Sequence, residues 1–195
     1  MTRIGVLALQ GDVAEHESML ASVGAEPVPV KRAEQLDEVD GLVIPGGEST
    51  TIGKLLDRFS MLEPLKERVR AGFPVYGTCA GMILLAGEID DAGVDQPTIG
   101  GMDIGVRRNA FGRQRESFET DLQVPAVGDA PLHAVFIRAP LIERVGEGVD
   151  VLASLHDGRT VAARQNNLLV SSFHPERTDD TRMHSYFIDL VRNRA

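Results

Sequence analysis

Cysteine, long apolar runs and positive charge are all scarce in this 195-residue sequence. The single cysteine, Cys79, excludes an intramolecular disulfide and any zinc site built on several thiolates. It points to a reducing compartment. No apolar run approaches the roughly 18 residues needed to cross a bilayer. The apolar stretch from Ile4 to Leu9 stops at Gln10, Gly11 and Asp12, too short for a secretion signal and with no small-residue cleavage site behind it. The expectation is a soluble cytoplasmic protein. Against 20 Lys and Arg stand 29 Asp and Glu, a formal net charge of −9. Such a chain repels phosphate backbones, which argues against non-specific nucleic-acid binding.

The residues present suit a globular enzyme-sized core. Hydrophobic residues make up 43% and charged residues 25%, and a chain of this length buries roughly 70% of its unfolded surface. One domain covering residues 1–195 is expected, since no repeat, low-complexity tract or long linker divides the sequence. The first half alternates strand and helix signals. Short apolar runs at Arg3–Leu9, Glu26–Val30, Gly41–Ile44 and Phe73–Gly77 predict strands. Helices are expected from Val13 to Val23, after Ser49 or Thr50 as cap, from Met61 to Ala71 and from Ala80 to Glu88. Asp12 with Glu15 three residues on reads as a capping box. From about Met102 the signals become strands: Phe118–Val124, Ala134–Ile137, Val151–Leu155, Thr160–Gln165 and Leu168–Phe173. Asp157-Gly158 and Asn166-Asn167 mark turns between them. Asp90–Gly101 reads as a loop and Thr181–Arg194 as an amphipathic helix. The fold expected is a three-layer α/β sandwich: a mostly parallel central sheet, covered on both faces, with an antiparallel extension.

Three segments carry chemistry. Gly77-Thr78-Cys79-Ala80-Gly81 lies between a predicted strand and a predicted helix. It has the form of a nucleophile elbow, G-x-S-x-G, with cysteine in place of serine. The two glycines fit a chain that turns sharply back on itself, and a helix N-terminus favours a thiolate. A thiolate nucleophile needs a base. Of five histidines, His16 reads as solvated on an amphipathic helix, and His133, His156 and His184 as structural. His174 differs: Pro175 disfavours helix at the residue before it. In extended chain Glu176 then points the same way as His174 and can orient it. The third segment, Pro45-Gly46-Gly47-Glu48-Ser49-Thr50-Thr51, ends a strand and opens a helix. It matches neither a P-loop nor a dinucleotide fingerprint. Its backbone can bind a phosphate or supply half of an oxyanion hole, in the second case pairing the N–H of Gly47 with that of Ala80. Arg107, Arg108, Asn109, Arg113, Gln114 and Arg115 read either as a solvated basic loop or as a carboxylate anchor, and Arg138 ends an apolar strand. Taken by themselves, these residues fit a hydrolase with a cysteine nucleophile, such as a peptidase; a binding module that has kept the fold is another reading.

These segments resemble the class I, triad glutamine amidotransferases. Gly5–Gly11, Gly46–Thr51, Asn109–Gln114 and Phe136–Pro140 narrow the resemblance to the glutaminase subunits of pyridoxal 5′-phosphate synthase, over essentially the whole chain from Ile4 to Phe187. The resemblance implies Cys79 as nucleophile, His174 as acid and base, and Glu176 as its orienting carboxylate. It implies a glutamine site lined by Gly47, Glu48, Ser49, Arg108, Ile137 and Arg138, with no metal or organic cofactor. It also implies a partner, a PdxS-like (β/α)8 synthase subunit, in a ring of twelve synthases carrying twelve glutaminases. The ammonia released serves vitamin B6 biosynthesis. Residues 88–101 match no motif.

Overall fold

The computed structural model describes residues 1–90, 96–111 and 117–193. Twelve strands and five helices follow in chain order among them. The first half runs β1 (Arg3–Leu7), α1 (Val13–Ser22), β2 (Glu26–Val30), β3 (Gly41–Ile44), α2 (Ser49–Arg58), α3 (Leu62–Arg70), β4 (Val75–Thr78), α4 (Ala80–Leu85) and β5 (Ala86–Asp90). The second half runs β6 (Met102–Arg107), β7 (Ser117–Leu122), β8 (Leu132–Ile137), β9 (Leu141–Val145), β10 (Asp150–Ser154), β11 (Thr160–Gln165), β12 (Leu168–Ser171) and α5 (Arg182–Arg192).

The main sheet has the order β2-β1-β3-β4-β12-β11-β9-β6-β5, with β10 also paired to β11. From β2 to β12 all pairings are parallel, and β12-β11, β11-β9 and β9-β6 are antiparallel. β7 and β8 form a separate antiparallel hairpin. This is the expected mostly parallel sheet with an antiparallel extension.

Residue alternation explains the layering. β3, β4 and β12 are buried at every position, as parallel strands covered on both faces must be. Leu42 and Ile44 of β3 join one apolar cluster while Val43 joins the other. Leu168 and Val170 of β12 likewise part from Leu169. The first cluster takes Ile52 and Leu56 of α2 and Leu62, Leu65 and Val69 of α3. The second takes Leu20 of α1 and Met183, Phe187, Ile188 and Val191 of α5, spaced as one helical stripe.

Several local expectations need correction. Asp12 stands at the N-cap of α1 but makes no capping bond there. Its carboxylate meets the Arg177 guanidinium instead, a charged partner stronger than a neutral backbone N–H. The cap of α2 is Glu48, whose carboxylate accepts from the N–H groups of Thr50 and Thr51, and Ser49 is the first helical residue. The helix beginning at Ala80 ends at Leu85, not Glu88, because the chain turns extended at Ala86 and pairs with β6. Gly87 and Glu88 therefore lie in a strand, where tertiary pairing overrides local helical preference. β12 ends at Ser171, two residues before the expected limit. The Asp157-Gly158 turn joins β10 to β11 and the Asn166-Asn167 turn joins β11 to β12, both antiparallel pairs, as expected. Of the expected loop 90–101, Asp90 is the last residue of β5, paired with Arg107, residues 96–101 are in neither helix nor strand, and residues 91–95 lie outside the described residues. Among the described residues no helix is long and apolar enough to cross a membrane.

Candidate active site

Open parallel sheets bind ligands outside the carboxyl ends of their strands. Four such ends meet here. β1 leads into Gln10 and Asp12, β3 into Gly46 and Gly47, β4 into Cys79 and β12 into His174. The register fixes their relation: Thr78 pairs with Ser171, and the Cys79 N–H donates to the Ser171 carbonyl at 2.8 Å. The His174 N–H donates to the Val135 carbonyl of β8 at 2.8 Å, which draws the hairpin to the same rim.

Cys79 sits on a strained turn, with φ 48° and ψ −101°. A left-handed φ is costly for a residue with a Cβ, on the order of 1–3 kcal/mol. The neighbours permit it only because they lack side chains. A Cβ on Gly77 would come within 2.5 Å of the Gly81 backbone, and one on Gly81 within 2.2 Å of the Ile44 carbonyl oxygen. The turn holds Cys79 at the cleft wall, beside Ala80 and Ile83.

His174 is buried, at φ −103° and ψ 89°, and Pro175–Arg177 wind into a short 3-10 turn rather than the extended chain expected; that turn still sets Glu176 against the ring. Its Nδ1 lies 2.7 Å from Glu176 Oε1 and 3.5 Å from Asp12 Oδ2. Its Nε2 is buried and makes no conventional hydrogen bond. A Cβ on Gly46 would lie 2.4 Å from His174 Cε1 and 3.5 Å from Cys79 Cβ, so the ring packs over bare backbone beside the cysteine. Burial disfavours the imidazolium, but the adjacent Cys79 sulfur and Glu176 carboxylate outweigh it and push the His174 pKa up to about 10. The Glu176 side chain is fully buried behind the ring, so the reading of this residue as an orienting group has a dry, short contact on which to rest.

The cleft has a volume of about 370 Å³, within the range of small-molecule sites. The expected residues Gly47, Glu48, Ser49, Cys79, Ala80, Arg108, Ile137, Arg138 and His174 all line it, and Glu176 stands directly behind. Slight burial pushes the Glu48 carboxyl up, but hydrogen bonds from Thr51 and Thr50 outweigh it and hold the group below its usual range. Arg108 Nη1 donates to Gln96 Oε1 at 2.9 Å and Thr50 Oγ1 at 3.3 Å, and its Nη2 lies 3.4 Å from Glu48 Oε1. Of the expected basic cluster, Arg107 pairs with Glu143 outside the cleft, Asn109 lines it, and Arg113, Gln114 and Arg115 lie outside the described residues.

Some residues escaped the sequence reading. Gln10, Asp12 and Arg177 line the cleft. Gln10 Oε1 accepts from the Glu48 N–H at 2.9 Å and lies where a Cβ on Gly47 would collide. The one available signal was Gln10-Gly11-Asp12 ending an apolar run, the place where a parallel strand delivers site residues. His16 is not solvated: it is fully buried, because α1 turns it with Leu20 onto the sheet. Asp12, His174 and Glu176 bring ligand-type atoms within 4.8 Å of one another. Within that group the His174 Nδ1 to Glu176 Oε1 contact is the shortest, at 2.7 Å.

Comparison with known proteins agrees with this geometry. A model of the SNO glutamine amidotransferase family matches residues 6–193. The chain is 61% identical over 191 residues to a protein of Frankia alni named pyridoxal 5′-phosphate synthase subunit PdxT, covering 98% of this chain and 96% of that one. It is 61% identical to a protein of the same name from Herpetosiphon aurantiacus, covering 96% and 99%. A solved structure described as a glutamine amidotransferase superposes with a TM-score of 0.91 at 49% identity, covering 97% of this chain and 98% of that one. The fold alone extends to PurLQS from Thermotoga maritima, at a TM-score of 0.72 and 15% identity. A family match spanning nearly the whole chain, with an elbow cysteine, a buried histidine and a carboxylate at one cleft, decides the matter: the chain belongs to the SNO glutamine amidotransferase family.

Proposed function

We propose that Cys79, His174 and Glu176 hydrolyse L-glutamine to L-glutamate and ammonia. The observation that carries this reading is the 2.7 Å contact of His174 with Glu176 beside a cysteine on a strained elbow. With its pKa raised by the sulfur and the carboxylate, His174 rests as an imidazolium beside Cys79, whose sulfur reacts as the thiolate. The thiolate attacks the side-chain amide carbon, forming the C–S bond as the C=O electron pair moves to oxygen. The N–H groups of Gly47 and Ala80 meet that oxyanion; one such donor is worth roughly 2.7–4 kcal/mol of barrier.

Collapse expels the nitrogen, which takes the imidazolium proton and leaves as ammonia. A glutamyl thioester remains. The thiolate that raised the pKa of His174 has now been consumed, so the ring stays neutral and serves as a base. It takes a proton from water as water attacks the thioester; glutamate leaves, and the ion pair is restored.

Glu48, Ser49, Ile137, Arg108 and Arg138 hold the glutamine. Arginine suits this task because its fork matches a carboxylate. The names of the relatives support delivery of the ammonia to a PdxS synthase subunit that makes pyridoxal 5′-phosphate. A ring of twelve synthases with twelve glutaminases is the assembly proposed, in a reducing cytoplasm that keeps the one thiol free. Ammonia and glutamate release from glutamine, with and without a PdxS subunit, tests the reaction, and sedimentation of the mixture tests the assembly. Cleavage of peptides with no glutamine turnover would overturn the reading.

A further inference from the structure

The proposed chemistry leaves two buried histidines unused. His16 of α1 and His184 of α5 are both fully buried, and each interrupts its helix's apolar stripe with a polar ring. His16 Nδ1 lies 2.9 Å from His184 Nε2. His16 Nε2 lies 3.2 Å from Thr78 Oγ1 and 3.4 Å from Glu176 Oε2. Glu176 Oε2, the oxygen that does not face His174, is buried without a hydrogen-bond partner, and the 3.4 Å contact with His16 Nε2 is a close approach rather than a formed hydrogen bond. Burial, assisted by the charges of His184, His174 and Arg177, holds the His16 pKa well below its ordinary value. Burial lowers that of His184 to about 4. Both rings are neutral at pH 7, so each carries one N–H.

Only one pair of tautomers suits the surroundings. If His16 carried its proton on Nδ1, it would donate to His184. The His184 Nδ1–H would then be a buried donor with no partner. The His16 Nε2 lone pair would also face the Glu176 carboxylate. With both protons on Nε2, His184 donates to His16 Nδ1, and His16 aims its N–H at Glu176 Oε2 and Thr78 Oγ1. The bare atom is then the His184 Nδ1 lone pair, which is buried without a partner; the His184 ring meets Tyr76 edge-on, with 6.1 Å between ring centroids.

We propose that His16, set in its tautomer by His184, is a positioning residue that holds the second oxygen of Glu176 so that the first stays on His174. The line Cys79–His174–Glu176–His16–His184 then ties α1 and α5 to the nucleophile. The ionisable groups that act on His16 are His174, Glu176 and Arg177 from the turn after β12 and His184 from α5; behind them, Tyr76 of β4 faces His184, and Asp12 faces His174 and Arg177.

The inference rests on the triad reading, and its test does not depend on glutamine turnover alone. Nitrogen-15 spectra of the wild-type protein at pH 7 are expected to show both rings protonated on Nε2; a proton on His16 Nδ1 overturns the proposal. Replacing both rings, His16→Leu with His184→Leu, removes donor and acceptor together and so spares the fold. That variant is expected to lower kcat about 10- to 100-fold, as lost outer-shell partners commonly do, at unchanged KM. It is also expected to move the acid limb of Cys79 alkylation by iodoacetamide. His16→Gln, which keeps an N–H near the place of Nε2, restores most of kcat. A folded double variant with wild-type kcat and an unshifted alkylation profile overturns the proposal, as does a His16→Gln protein no better than the double variant. Wild-type protein that shows the expected tautomers but releases no ammonia from glutamine refutes the reaction and supports the network.

Discussion

The cleft has two walls made by different means. The carboxyl ends of β1, β3, β4 and β12 carry Cys79 and His174 with Glu176 behind them, all buried and tied by backbone register. The antiparallel side carries Arg108 and Asn109 after β6, and Ile137, Arg138 and Pro140 around the end of β8. Its side chains are more exposed, and its turns are joined by single contacts such as the Ala110 N–H to the Ala139 carbonyl at 3.2 Å. Both walls use strain. Cys79 (φ 48°), Asn109 (φ 48°) and Arg138 (φ 44°) are non-glycine residues in a positive-φ conformation. The difference teaches a division of labour: the parallel wall fixes the reacting atoms and, through Glu48 and Ser49, one side of the substrate, and the antiparallel wall fixes only where the substrate lies. Variants of Cys79, His174 and Glu176 should therefore act on kcat and variants in the antiparallel wall on KM.

The largest expected effect is that of Cys79→Ala. It removes the nucleophile from a cavity that a smaller side chain fits, so glutamate release should fall by at least about 10⁴-fold with the fold retained. Hydrolysis of glutamine persisting in that variant would break the scheme. A second readout is available: without the sulfur, the pKa of His174 should fall from about 10, measurable by NMR titration. The sign of the linkage is fixed. A raised folded pKa contributes stability that is present below the ordinary value of 6.5 and lost as pH rises through about 10. Wild-type protein should lose more stability than Cys79→Ala across that interval.

Glu176→Gln comes next. It keeps the shape behind His174 but removes the negative charge that supports the imidazolium. A drop of about 10²–10⁴-fold in kcat is expected, at unchanged KM, with the basic limb of the pH profile moved down from about 10. A rise in KM with kcat intact would place Glu176 in binding and dissolve the contrast between the walls.

How far the sequence foretold each wall follows from the same contrast. The parallel wall was legible because its signals are local. Apolar runs mark strands buried on both faces, the Gly-x-Cys-x-Gly elbow states its own steric need, and His174-Pro175-Glu176 keeps imidazole and carboxylate within three residues, though through a 3-10 turn and not the extended chain expected. What it hid is long-range: that His16 turns inward to Glu176, 160 positions along the chain by number, is decided by how α1 packs. Gln10 meeting Glu48 is a contact of the same kind. On the antiparallel side β9 gave no signal, and Gly87-Glu88 read as helix until pairing with β6 made them strand. Read from the residues alone, Arg108 offered a choice between loop and anchor, because its partners Thr50 and Gln96 come from other elements, and only the family resemblance put it in the site.

Acid stability separates the buried rings from exposed ones. The folded pKa of His184 is depressed to about 4 and that of His16 well below 6.5. Such groups stabilise the fold above the unfolded value, and that stability is lost as pH falls towards the folded value. For His184 alone the loss between pH 6.5 and 4 is on the order of 3 kcal/mol. Urea midpoints should drop over that interval, and the His16→Leu/His184→Leu protein should be flatter. His133, exposed on β8 between Asp121 and Glu119, has a raised pKa from hydrogen bonds to both carboxylates. Its replacement should leave the acid-side drop in place, and a vanished drop would contradict this assignment.

The smallest effect is also the one that sharpens the contrast most. Arg108→Lys keeps the charge at the antiparallel wall but loses the planar fork that reaches Gln96 and Thr50. A lysine cannot hold those two partners and a substrate carboxylate in one plane. KM for glutamine should rise about tenfold, the cost of roughly one charge-assisted hydrogen bond. The kcat should stay within about twofold of wild type, because an interaction made equally in ground and transition states leaves kcat unchanged. Steady-state kinetics over a range of glutamine concentrations reads both numbers. If kcat falls in step with KM, the antiparallel wall takes part in aligning the amide against the sulfur as well as in holding the substrate, and the two walls act as one device.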